Sequence, residues 1–162
     1  MWICRESAIR MTPTSGDDGY AAGIIRKFLL AILLLGMLGS MTELILLKHT
    51  EDVRQWIPLT LLAAALGVFA WHVVNASPAN LRLFHWLMIA FIASGLAGIY
   101  FHYQGSAEFK LEGHPSLRGW ALFWEAIRGK APPLLAPGAM IQLGLIGLAY
   151  TYKHPALSRT KQ

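Results

Sequence analysis

The chain has 162 residues, 55% of them hydrophobic and only 14% charged, with a formal net charge of +5 and a mean hydropathy of +0.45. Soluble domains carry about 25% charged residues, so this composition excludes a water-soluble enzyme and describes a membrane protein whose apolar residues fall into long runs. The lone Cys4 excludes an internal disulfide and any cysteine-based zinc or iron–sulfur site.

Residues 1–23 mix Arg, Thr, Pro, Ser, Gly and Asp without periodicity and are expected to form a mobile tail, with Met11 as an alternative start to Met1. The next run is about twice the length of a signal-peptide core and lacks a small-residue cleavage site, so it is expected to be an uncleaved anchor. This first span, residues 24–47, opens with Arg26 and Lys27 and is long enough to cross a core of about 30 Å at about 1.5 Å per residue. The second, residues 56–74, begins Trp-Ile-Pro, where proline suits a first helical turn, and stops at Asn75-Ala-Ser-Pro78. The third, residues 81–103, has Phe84 and Trp86 at one end and Tyr100, Phe101 and Tyr103 at the other, as rings at headgroup depth would be placed. In the connection 104–133, residues 116–128 put Leu117, Trp120, Ala121, Trp124 and Ile127 on one helical face, with Ser116 as cap and Gly129 as stop. This segment is expected to lie flat in the interface, its tryptophans toward the lipid or the bundle. The fourth span, residues 134–152, has Pro137 in its first turn and Tyr150 and Tyr152 at its exit, and residues 153–162 form a basic tail. The predicted fold is an all-α integral membrane bundle of four transmembrane helices plus one short interfacial helix.

An even number of spans puts both termini on one side. That side holds Arg5, Arg10, Arg26, Lys27, Arg82, Lys153, Arg159 and Lys161, against Lys48, Arg54, Lys110, Arg118, Arg128 and Lys130 on the other. The margin is narrow, but Arg26 and Lys27 flank the first helix, which predicts cytoplasmic termini. Basic residues scattered singly at membrane boundaries meet anionic headgroups of the lipid bilayer and need no nucleic acid.

An ionisable residue inside a span is a functional suspect, because a charge at the bilayer centre costs about 2.5–3.5 kcal/mol. Glu43 is the acidic residue well inside a predicted span, and it shares a helical face with Gly36, Gly39 and Ser40. It is therefore expected to point into the bundle. His102, aligned with Gly95 and Gly98, reaches similar depth on the third span. With His49 and Glu108 these residues form a candidate outer cluster for a metal, a haem, a quinone or a proton relay; the competing view is an ordinary polar loop. No H-x-x-x-H, E-x-x-H or H-E-x-x-H spacing accompanies them, so neither a metal nor any other cofactor is specified. At the opposite face, His72 and His85 come out at comparable heights on a helical hairpin, as haem ligation between helices requires. Their helical phases argue against a shared axis, and Trp71-His72 and His85-Trp86 read equally as interfacial belts. Gln142 in the fourth span reads as interhelical glue.

No catalytic motif is present. The leading expectation is a small non-catalytic accessory or scaffolding subunit, partnered by other membrane subunits or by its own copies. A redox or cofactor-handling protein and a proton-coupled small transporter are the alternatives.

Overall fold

A computed structural model describes residues 15–75, 77–128 and 135–158. These residues fold as α1 (Ser15–Leu46), a 3-10 turn (Val53–Gln55), α2 (Trp56–Val74), α3 (Pro78–Gly113), α4 (Gly119–Ile127), α5 (Leu135–Thr151) and the short α6 (Pro155–Ser158). No strand occurs among the described residues. Among the described residues, three helices are long and apolar enough to cross a membrane, over Gly19–Leu46, Val53–Val74 and Pro78–Gly113. The fourth apolar helix, α5, has 17 residues and is shorter than that.

Local chemistry sets several boundaries. Before α2, Asp52 accepts from the Arg54 N–H at 3.1 Å while Gln55 Oε1 accepts from the N–H groups of Glu51 and Asp52, a reciprocal cap that stops the chain after α1 and restarts it. Helix α3 begins at Pro78, three residues before the predicted span, because Ser77 caps it by accepting the Asn80 N–H and Pro78 occupies a first-turn position where no donor is needed.

Three expected boundaries are corrected. Residues 15–23 extend α1 instead of belonging to a loose tail; residues 1–14, with Cys4 and Met11, lie outside the described residues. Helix α3 continues through residues 104–113, where a connection was expected. Hydropathy falls there, but Ala107, Glu108, Lys110 and Leu111 are good helix formers, Ala107 is buried, and Tyr103 and Lys110 on either side of it meet Phe123 and Glu125 of α4. Helix α4 starts at Gly119, which has φ +56, with Arg118 and not Ser116 at the cap position. Its inward face is Leu122, Phe123 and Ala126, whereas Trp120 and Trp124 face outward. The predicted stop at Gly129 lies outside the described residues.

The core is a seam of Leu33, Met37, Leu62, Ala65, Leu81, Phe84, Met88, Phe91, Met140 and Leu143. Its most extensive helix contact is between α3 and α5. That contact is reciprocal: a Cβ on Gly95 would lie 2.7 Å from the Pro137 carbonyl oxygen, and one on Gly144 would lie 2.7 Å from the Met88 carbonyl oxygen. Each helix thus removes side chains where the other's backbone arrives, which is how apolar helices gain contact without a hydrophobic driving force in lipid. Arg26 donates to the carbonyls of Tyr152 and Lys153, placing the start of the span in α1 and the end of α5 at one end of the bundle.

Candidate functional site

The predicted outer cluster is only partly assembled. Helix α1 packs through Leu30, Leu33, Met37, Met41 and Leu44, and this row of long apolar side chains takes the seam. Glu43 is therefore exposed, sharing an outward groove with Leu35, Leu38, Gly39, Thr42, Leu46 and Leu47. The expectation that it points into the bundle is thus corrected: of the small residues predicted to share its face, Gly36 does meet Leu143, but a Cβ on Gly39 would meet nothing. Glu108 is also exposed, on the extension of α3. His49 and His102 do come together, their rings stacked at 6.3 Å with an interplanar angle of 12°. Arg54 lies over the Phe101 ring at 4.8 Å, so the α1–α2 connection rests against α3 at this level. Burial, and secondarily the charge of His102, hold His49 below the usual imidazole value. Among the described residues no group of three or more His, Cys, Asp or Glu side chains is placed to hold a metal ion.

At the Arg26 end the arrangement is denser. His72 and His85 converge on α5, not on each other: His72 Nε2 shares a 2.6 Å hydrogen bond with the Tyr150 hydroxyl, and His85 Nδ1 lies 2.9 Å from Thr151 Oγ1. Since the Thr151 hydroxyl donates to the Leu148 carbonyl, its oxygen accepts from His85 Nδ1–H, and that bond fixes the His85 tautomer. The rings of His72 and Tyr150 meet edge-on at 5.7 Å. His154, in the link to α6, packs against both, at 6.2 Å from His72 and 5.3 Å from Tyr150. Burial first, then the positive charge of Arg26, then His72, keep His154 below the usual imidazole value. Its Nδ1 accepts the Ala156 N–H at 3.2 Å, so the neutral ring caps α6.

Among the described residues, the buried polar side chains are His72, Asn80 and Thr151, all at this end. Neither amide atom of Asn80 has a partner, nor has His72 Nδ1. Chemically the cluster offers imidazoles, a phenol and a primary amide in a setting that excludes bulk water, suited to holding a small hydrogen-bonding molecule or a proton. Asn80, Tyr150, Thr151, His154 and Arg26 have no role in the outer or haem sites read from the sequence. The legible signals were the spacing of Tyr150 and His154 by one helical turn and an amide in the first turn of an apolar helix.

Comparison of the chain with protein families, curated proteins and solved structures yields no match.

Proposed function

We propose that this protein is a non-catalytic accessory subunit of a larger membrane complex, and that the outer half of α1 is the face it offers to its partner. The observation that carries the reading is the exposed Glu43 in a groove of leucines beside Gly39 and Thr42. Lipid tails give a carboxylate no hydrogen bonds, whereas a neighbouring helix carrying Lys, Arg or an amide does. Gly39 leaves room for that helix, because no atom lies within 4 Å of where its Cβ would stand.

In this reading α5 is the fourth span. Its 17 residues reach about 26 Å at about 1.5 Å per residue, and it lies against α3 from Pro137 to Gly147, so it shares the depth of that span. The α4 helix lies in the interface with Trp120 and Trp124 outward, and the termini are cytoplasmic. Supporting the α4 assignment, Tyr103 at the aromatic end of the third span meets Phe123 at 5.7 Å, and Arg118 and Arg128 flank the helix with charge suited to headgroups. The cofactor reading using Glu43, His102, His49 and Glu108 retains only the His49–His102 pair, and a proton-coupled transporter would need a carboxyl facing the bundle interior.

The test is a photoreactive residue at Leu38 in native membranes. One protein adduct of defined mass, lost in Glu43→Ala and Gly39→Leu variants together with the slow-migrating complex on native gels, is expected. Adducts to lipid alone, with migration as the free chain, would overturn the proposal.

A further inference from the structure

The polar groups at the Arg26 end are unevenly served. His85 is bonded to Thr151, Thr151 to the Leu148 carbonyl, Arg26 to the carbonyls of Tyr152 and Lys153, and His154 to the Ala156 N–H. His72 is half served: Nε2 is bonded to Tyr150, but Nδ1 is buried without a partner. Asn80 is 0% exposed, and both Oδ1 and Nδ2 are without partners, although its backbone N–H donates to Ser77. The amide lies beside the imidazole as a neighbour of hydrogen-bonding kind, yet no direct hydrogen bond of good geometry forms between them. Buried amides are rarely left unpaired, because desolvation then goes uncompensated. Where protein groups do not reach them, the usual partner is an internal water making two to four bonds.

We propose that bound water occupies this end of the bundle, bridging Asn80 to His72 Nδ1. The donor and acceptor set fits water in either imidazole tautomer. If Tyr150 donates to Nε2, Nδ1–H donates to the water, which donates to Asn80 Oδ1. If Nε2–H donates to Tyr150, the water donates to Nδ1 and accepts from Asn80 Nδ2–H. The remaining amide atom takes a second water. The result is a continuous chain from Asn80 on α3 through water to His72 on α2 and Tyr150 on α5, which ties the α2–α3 hairpin to α5 at the end where Asn80 stands in the first turn of its helix, close to the membrane surface.

Two measurements on the full chain test this. In isotope-labelled protein in lipid nanodiscs, water-edited solid-state NMR should show magnetisation from water reaching the His72 ring and the Asn80 side-chain amide well before it reaches the dry core. The Phe84 and Phe91 rings, in the dry core, should stay dark. Separately, Asn80→Leu distinguishes a wet site from a dry one. Removing an amide with water bonds lowers the thermal midpoint, by about 3 °C or more, whereas removing a dry orphaned amide raises it. His72 and Asn80 as dark as the phenylalanines, or a midpoint unchanged or raised in Asn80→Leu, would overturn the proposal.

Discussion

The 2.6 Å contact between His72 and Tyr150 joins α2 to α5 within the buried polar cluster at the Arg26 end. A hydrogen bond contributes about 1 kcal/mol net, and leaving its buried partner unpaired costs more than that average. Tyr150→Phe keeps the ring's edge-on contact with Phe84 at 6.1 Å but strips His72 Nε2 of its partner. The expected result is a loss of about 1–2 kcal/mol, read as a fall of about 2–6 °C in the thermal midpoint of the detergent-solubilised protein. A midpoint equal to wild type would mean that the hydroxyl is not bonded to His72. The same pair shows what the sequence conceals. Tyr150 reads as an aromatic at a helix exit and His72 as part of a Trp-His belt, and each reading is correct for an isolated helix. Their meeting depends on the hairpin returning His72 to the height of Tyr150 with matching rotation, which a single helix's periodicity does not encode.

At the scale of the helix, the α3–α5 contact rests on glycines whose absent side chains admit a backbone. Gly144→Ala places a methyl 2.6 Å from Ile92 Cγ1 and 2.7 Å from the Met88 carbonyl. The Ile92 side chain can turn, but the carbonyl is fixed within α3, so the helices must part. The expected cost is about 1–3 kcal/mol, as for overpacking elsewhere. Gly67→Ala is the matched control: no atom lies within 4 Å of its Cβ, and removing a helical glycine should stabilise by up to about 1 kcal/mol. Equal thermal midpoints for the two variants would show that α3 and α5 are not in close contact. Much at this scale was legible. The second span and α2 cover the same residues, since Trp-Ile-Pro and the Asn75-Ala-Ser-Pro78 stop act locally. The continuation of α3 was not legible, because hydropathy marks where lipid ends and not where a helix ends. Nor was the orientation of Glu43 legible. The glycine rule gives a close-packing face, but on α1 the row from Leu30 to Leu44 offered more apolar contact and took the core side.

Across the whole molecule, the two ends carry imidazoles that burial first, and neighbouring positive groups second, keep from their protons: His49 beside His102 at one end, His154 beside Arg26 and His72 at the other. For both, the folded value lies below the ordinary 6.5, so just under pH 6.5 the unfolded chain binds more protons than the native one. Stability rises with pH wherever the unfolded state holds more protons. The stabilisation is therefore complete above about pH 6.5 and is lost as pH falls through the folded values. Geometry gives the loss at His154 a location. Protonation of Nδ1 turns an acceptor into a donor, releases the Ala156 N–H, and frees the short α6, whose Ala156 and Leu157 pack on the core. At the other end, protonation of His49 puts a positive charge against the stacked ring of His102. The thermal midpoint in detergent should be flat from pH 8 to 7 and fall from about pH 6.5 toward 5. His154→Gln and His49→Gln should each reduce the slope, and the exchange protection of the Ala156 and Leu157 amides, taken relative to their intrinsic rates at each pH, should fall on acidification in wild type before that of the α3–α5 core does. A midpoint that rises on acidification, or an α6 that exchanges no faster at pH 5 than at pH 8 relative to the core, would show that these histidines gain stability from their protons instead of losing it.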